Sequence, residues 1–178
     1  MKSYYHLKMS EESLSPVIVN KRKKRTKNVK NTLWANTDQG AQREIDKAKL
    51  LKMIITFTTD IVSSIGKGRR ESVYQCALKS VLVQKNLNPV SIEHPVPIMY
   101  NNERVGTGYL DILVWNMFFL EIKAVGRISD KDLLQTMAYS KDMGIVGLLV
   151  NFSQKLNSDN KLDIYLIERD VVLKHVTV

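Results

Sequence analysis

The chain has 178 residues, 44% of them hydrophobic and 25% charged, with a formal net charge of +9. This composition predicts a soluble globular domain, and the apolar runs are far shorter than the roughly 20 residues of a membrane-spanning helix. The single cysteine, Cys76, excludes an internal disulfide and a cysteine metal cluster. Together with the absence of an apolar signal-like segment at the N-terminus, it favours an intracellular, reducing compartment and no membrane partner.

Residues 1–42 are expected to be a flexible basic tail, because they are polar and show no sustained helical or strand period. Residues 1–45 hold ten Lys and Arg against four Asp and Glu, so most of the net charge lies here. Three alternatives stay open for the basic run: a solvated arm, a nuclear import signal in a eukaryotic host, and an arm that binds nucleic-acid phosphates. In any other host the expected location is the cytoplasm. The run consists of Lys21, Arg22, Lys23, Lys24 and Arg25.

Residues 43–178 are predicted to form one α/β domain that begins with two helices. Apolar residues at three- and four-residue spacings predict a first helix from about residue 41 to residue 65, ended by Gly66 and Gly68. A second helix is predicted from about residue 70 to residue 85, where Pro89 follows its end.

Three strands, a third helix and two further strands are predicted after the second helix. The third helix is capped by Ser129 and extends to about Asp142. It would cross between two strands that run parallel. The predicted strands cover residues 90–100 (an edge strand with two prolines), 104–115, 118–125, 145–152 and 162–168.

Two acids and a lysine interrupt the hydrophobic hairpin GYLDILVWNMFFLEIKAV of residues 108–125. Because side chains alternate along a strand, Glu121 and Lys123 share a face, and Asp111 is expected on the face of Leu113. Asp111 lies opposite Glu121 only if the pairing is centred on Asn116, which requires a three-residue loop with a left-handed residue. A two-residue turn would move Asp111 to the other face.

Two carboxylates on one sheet face lie about 4.5–5.5 Å apart at Cβ and repel each other, so a compensating charge is needed. A divalent cation between Asp111 and Glu121 would supply it, and oxygen ligands suit Mg²⁺ or Mn²⁺. Lys123 would then orient a water or stabilise negative charge on a phosphate. The alternative is a salt-bridge cluster on a partly wet face.

Two helical residues have candidate roles with open alternatives. Glu71 falls on the apolar stripe of Tyr74 and Leu78 and would need a partner there. Alternatively, it is a first-turn residue favoured by the helix dipole. Gln135 is either a site residue of the third helix or an ordinary surface glutamine.

Five motifs in chain order resemble those of the GxxExxY proteins, which are members of the PD-(D/E)XK nuclease superfamily. The resemblance covers roughly residues 50–155 and departs from the usual pattern in two places. Leu110 stands where the superfamily's name has proline, and Arg69 and Arg70 replace a usually apolar pair. The motifs are GxxExxY at 68–74, G-x-G-Y-x-D at 106–111, E-x-K with following Ala-Val at 121–125, a helical glutamine at 135, and LLVNF at 148–152.

The resemblance implies a restriction-endonuclease-like α-β-β-β-α-β core, with a mixed central sheet flanked by helices. It also implies a Mg²⁺- or Mn²⁺-dependent hydrolase, an endo- or exonuclease that cleaves phosphodiester bonds. The metal ligands would be Asp111, Glu121 and Glu71. Lys123 would position the attacking water or stabilise the transition state, and Gln135 would be an accessory catalytic residue.

DNA is favoured over RNA as the nucleic-acid partner, and the charges of Arg69 and Arg70 would favour a phosphate or pair with Glu71. Two other functions stay open. One is a nuclease-fold module that binds nucleic acid or a partner without catalysis, and the other is a metal-dependent enzyme acting on another phosphate ester. Aromatic residues at the hairpin tip, Trp115, Phe118 and Phe119, suggest a homodimer contact.

Overall fold

The computed structural model describes residues 34–35, 44–154 and 162–178. Three helices and eight strands are present in this part of the chain. In chain order they are β1 (Trp34–Ala35), β2 (Glu44–Ile45), α1 (Lys47–Ile65), α2 (Glu71–Gln84), β3 (Val90–Tyr100), β4 (Glu103–Val114), β5 (Phe118–Lys123), α3 (Asp130–Met143), β6 (Val146–Phe152), β7 (Leu162–Glu168) and β8 (Val171–Thr177).

A six-stranded mixed sheet forms the centre of the fold, and its strands lie side by side in chain order from β3 to β8. Four of the five neighbouring pairs are antiparallel. The exception is β5 and β6, which are parallel and are connected through α3. The predicted α/β architecture and the predicted parallel pair are therefore confirmed.

The start of one helix and the presence of one strand differ from the predictions. Helix α1 begins at Lys47 instead of residue 41, because Asp46 caps it by accepting a hydrogen bond from the Lys49 N–H at 3.1 Å. The preceding residues Glu44–Ile45 pair with β1. Strand β8 was not predicted: it is an edge strand with mostly exposed side chains, so its sequence lacks a clear buried face.

Each face of the sheet packs against helices. Helices α1 and α2 cover one face with a continuous apolar cluster that includes Leu50, Ile54, Leu78, Leu82 and Leu120. On the other face, two smaller clusters pack beneath α3 and the segment before it; their fully or largely buried members are Val96, Leu110, Leu113, Phe119, Ile128, Leu149 and Ile167. The hairpin of β4 and β5 therefore lies in the middle of a covered sheet.

Two of the three aromatic residues suggested as a dimer contact, Phe118 and Phe119, are not available for one. Phe118 and Phe119 are both fully buried. They point to opposite faces, Phe118 toward the cluster of α1 and α2 and Phe119 toward Tyr139 of α3. The suggestion is therefore wrong for these two residues, because both faces of the sheet are covered and consecutive strand residues are both buried in the core. Trp115 is half-buried, and a homodimer stays a prediction.

The basic run, Lys21 to Arg25, lies outside the described residues, so the division into residues 1–42 and 43–178 stays a prediction. Among the helices that the structure does describe, none has the length and apolar character needed to cross a membrane.

Candidate active site

The hairpin of β4 and β5 has the register that the site hypothesis requires. Val114 pairs with Phe118 and Ile112 with Leu120, so the pairing is centred on Asn116. Asn116 has a left-handed backbone, with φ of 54°, as does Trp115 with φ of 55°. The connection is therefore a three-residue loop, and the two-residue turn considered as an alternative is excluded.

The two strands separate immediately beyond Ile112 and Leu120, where the described β4–β5 pairing ends. At this point the Asp111 carboxylate takes the place of a β4 backbone carbonyl as the acceptor for β5: its Oδ2 accepts a hydrogen bond from the Ile122 N–H at 2.6 Å. The expected alternation also breaks here. Leu110 and Leu113 pack in the same apolar cluster, although an uninterrupted strand would place them on opposite faces.

Glu121 is the most deeply buried acid of the site, with only 2% of its surface exposed. Its Oε1 accepts a hydrogen bond from Lys123 Nζ at 3.2 Å. Its Oε2 is buried and has no hydrogen-bond partner among the described residues. Burial, together with the nearby Asp111 charge, raises the pKa of Glu121 from 4.5 to about 7, and Lys123 offsets only part of this shift.

The charges of the site are coupled. Burial raises the pKa of Asp111, and the charges of Glu93 and Glu71 act in the same direction, against the Ile122 N–H and Lys123. Burial alone would lower the pKa of Lys123, but its carboxylate neighbours, Glu121 first, outweigh burial and raise it. Lys123 therefore carries its positive charge among an excess of acids.

Glu71 contacts the same part of the sheet from the first residue of α2. Its Oε1 accepts a hydrogen bond from the Ala124 N–H at 3.0 Å, across 53 residues of sequence. Tyr74 and Leu78 of the predicted stripe are buried, whereas Glu71 itself is exposed. The partner that the Glu71 carboxylate was expected to need is thus the backbone N–H of Ala124, the residue after Lys123.

Two site neighbours were missed by the sequence reasoning. Gln75 is only 8% exposed, and its Nε2 donates to the Asp111 carbonyl at 2.9 Å and to Glu93 Oε1 at 2.8 Å. The signal for Gln75 was its position one helical turn after Glu71, on the same face of α2. Glu93 has no local signal: it interrupts β3 with a φ of 50°, and only the pairing of β3 with β4 brings it beside Asp111.

The side-chain hydrogen bond of Gln135 lies within α3 and does not involve the acids of the site. Its Nε2 donates to the Tyr139 hydroxyl at 3.2 Å, one turn along α3. Tyr139 in turn contacts Phe119 edge-on, with ring centroids 6.5 Å apart. The accessory role implied for Gln135 therefore stays a prediction.

The carboxylates fit a divalent cation that keeps some of its water. Among the described residues, no group of three His, Cys, Asp or Glu side chains is close enough to enclose a metal ion. Mg²⁺, however, is commonly held by one or two carboxylates and completes its shell with water and phosphate oxygens. Asp111 and the partnerless Oε2 of Glu121 offer hard oxygen ligands of this kind.

A groove of about 490 Å³ is lined by residues 68–72, Ala124 and Gln154, so that of the site's acids it includes Glu71. The loop on its rim needs glycine, because Gly66 and Gly68 have φ of 76° and 78°. Gln154 fixes this loop by donating to the Arg69 carbonyl at 2.9 Å. Arg69 and Arg70 both line the groove and are exposed, so they bring two positive charges to it.

Comparison with known proteins agrees with this geometry. The family model of the PD-(D/E)XK nuclease superfamily matches residues 48–162, more than half of the chain, and this range includes the acids, the lysine and the groove. Neither a search of curated proteins nor a search of solved structures found a match. The narrower assignment to the GxxExxY proteins stays a prediction. The mixed sheet flanked by helices is consistent with the restriction-endonuclease-like fold, and the chain belongs to the PD-(D/E)XK nuclease superfamily.

Proposed function

We propose that the protein is a divalent-metal-dependent nuclease that hydrolyses phosphodiester bonds of nucleic acid, with DNA favoured over RNA. The observation that carries the proposal is the buried, partnerless Oε2 of Glu121 beside Asp111 and Lys123. A buried carboxylate oxygen without a partner lowers the free energy of unfolding. An ordinary structural ion pair would hydrogen-bond its buried oxygens, so the raised pKa and the unused oxygen indicate a functional site. A bound cation would remove that loss of stability.

The metal ligands in this proposal are Asp111 and Glu121, with Glu71 as a further carboxylate at the edge of the site. A bound Mg²⁺ or Mn²⁺ would lower the pKa of water and neutralise the charge that develops on the phosphate. The hydrogen bond from Ile122 holds Asp111 in place, and the one from Ala124 holds Glu71. These contacts preorganise the acids before a substrate arrives.

Lys123 is proposed to position the attacking water or to stabilise negative charge on the phosphate. Its side chain is 16% exposed and 3.2 Å from Glu121 Oε1, so its charge is directed toward the acids. Carboxylates raise its pKa, which keeps the ammonium group protonated and able to donate hydrogen bonds. A protonated lysine in a partly desolvated site stabilises a developing oxyanion more strongly than one in water.

The groove beside Glu71 is the proposed path of the substrate strand. Arg69 and Arg70 would contact phosphate oxygens there, because guanidinium groups bind phosphates with parallel hydrogen bonds. The basic run at residues 21–25 is proposed to add sequence-independent phosphate contacts or to direct nuclear import in a eukaryotic host. These roles would make binding strongly salt-dependent.

The function is tested by incubating the purified protein with DNA and with RNA, with Mg²⁺, with Mn²⁺ and with a chelator. Cleavage is expected with either metal and should disappear in D111N and E121Q. E103Q is the matched control, since Glu103 is an exposed acid at the other end of β4. Cleavage that persists in D111N and E121Q would come from a contaminant and would contradict the proposal.

A non-catalytic nucleic-acid-binding module is the second candidate. It is favoured by the ion pair of Lys123 with Glu121, and by the lack of a three-residue metal cluster in the described chain. This alternative expects salt-sensitive binding that chelators leave unchanged and that is lost when residues 1–45 are deleted. Metal-dependent turnover by the wild-type protein would rule it out.

A further inference from the structure

The motif LLVNF at 148–152 has no part in the chemistry proposed above, yet its last two residues support the site. Asn151 is fully buried in β6 and is the register partner of Lys123 on the parallel strand β5. Its Oδ1 accepts a hydrogen bond from the Val125 N–H at 3.1 Å. Its Nδ2 is buried and lacks a hydrogen-bond partner in the part of the chain that the structure describes.

Three side chains from three different elements bind the chain around Lys123. Asp111 accepts from Ile122, Glu71 from Ala124 and Asn151 from Val125. The pairing of β5 with β4 ends at Leu120, and β5 itself ends at Lys123, so side chains take the place of strand neighbours as acceptors for these N–H groups. Two of these three side chains are acids of the proposed active site, and Asn151 is the neutral one.

Phe152 supports the same region from the opposite face of β6. Its ring stacks on Tyr74, with centroids 4.0 Å apart and planes 4° from parallel. The Tyr74 hydroxyl donates to the Gly66 carbonyl at 3.0 Å and accepts from the Arg69 N–H at 3.3 Å. Phe152 thus helps to fix the loop that precedes Glu71.

We propose that Asn151 is a positioning residue for the nuclease reaction: through the Val125 N–H it fixes the end of β5, and thereby Glu121 and Lys123. This inference rests on the proposed function. The acceptor oxygen is the part of the side chain that is used, because the amide nitrogen has no partner. Aspartate at this position keeps the used atom, whereas leucine keeps the size and removes it.

The test compares N151L and N151D with the wild type, using S140A as the control. Ser140 is also fully buried, and its hydroxyl likewise makes side-chain-to-backbone bonds, to Ile145 and Arg169. Two quantities are measured: amide hydrogen exchange at Val125 in the metal-free protein, and kcat and KM for cleavage with Mn²⁺. Exchange needs no activity, so it separates the positioning role from the proposed function.

In N151L we expect exchange at Val125 to become about tenfold faster or more, since the N–H loses its partner. We expect kcat to fall by about 100-fold with little change in KM, because the reacting groups shift while the groove is unaltered. N151D should keep most of the protection at Val125, because its carboxylate retains the acceptor oxygen, and S140A should change neither exchange nor kcat. If N151L does not fold, N151S serves instead, because its hydroxyl is too short to replace Oδ1.

Unchanged protection at Val125 in N151L or N151S would overturn the proposal, and so would a loss of kcat in S140A equal to that in N151L. If KM rises with kcat unchanged, Asn151 acts on binding and the positioning role is wrong. If the wild type does not cleave with metal, the proposed function fails. The positioning of β5 is then still tested by two measurements that need no cleavage: amide exchange at Val125, and the affinity of N151L for Mn²⁺ measured by calorimetry.

Discussion

Replacing Glu121 by glutamine distinguishes a metal-binding acid from a structural ion pair by stability alone. The folded-state pKa of Glu121 is about 7, against 4.5 for an unperturbed glutamate, so the folded protein binds this proton more tightly than the unfolded chain. Stability from this group is fully present below pH 4.5. It is lost as the pH rises through 7, because the unfolded state releases the proton first.

The size of the effect follows from the pKa shift. A difference of one pKa unit corresponds to about 1.4 kcal/mol, so the shift of Glu121 costs the metal-free protein about 3 kcal/mol at pH 8. Glutamine has nearly the same shape and no charge, and Lys123 keeps Asp111 and Glu71 as neighbouring carboxylates. E121Q is therefore expected to be more stable than the wild type at pH 8 by up to about 3 kcal/mol, which corresponds to roughly 6–12 °C in Tm.

The assay is urea unfolding of both proteins in the presence of a chelator, at pH 5 and at pH 8. The stability difference should be small at pH 5 and large at pH 8, and the exposed control E103Q should stay within about 0.5 kcal/mol of the wild type at both. Saturating Mg²⁺ should narrow the gap at pH 8, because only the wild type gains the binding energy. If E121Q is instead less stable than the wild type at pH 8, Glu121 serves as the ion-pair partner of Lys123. The metal-site reasoning would then be wrong.

Three further predictions follow from the site. Q75L leaves the Asp111 carbonyl without its buried donor. We expect this variant to lose about 1–3 kcal/mol of stability in urea unfolding and to have a lower kcat. Unchanged stability and kcat would show that Gln75 does not support the site. R69A combined with R70A should raise KM at constant kcat and flatten the salt dependence of KM by a log–log slope of about 1–2; an unaltered slope would place the phosphates elsewhere. Removal of metal should abolish cleavage reversibly, and Mn²⁺ should raise the Tm of the wild type but not of E121Q; equal shifts in both would locate the ion at another site.

Local periodicity in the sequence determined most of the elements and the core of the site. The spacing of two residues puts Glu121 and Lys123 on one side of β5 whatever the fold, because side chains alternate. The sequence left two hairpin registers open, one with a three-residue loop and one with a two-residue turn, and the structure has the register centred on Asn116. Ser129 marked the start of α3 correctly, since its side chain forms a capping box with Asp132.

Only the tertiary structure decided which groups hold these residues in place. Glu71 binds Ala124 across 53 positions of sequence, and Asn151 binds Val125 across 26. Gln75 and Glu93 come together at Asp111 only because α2 packs against the sheet where β3 and β4 pair. A periodic pattern records which face of an element is buried, whereas a bond between a side chain and a distant backbone N–H depends on strand order and register. Those two features arise only when all elements pack together.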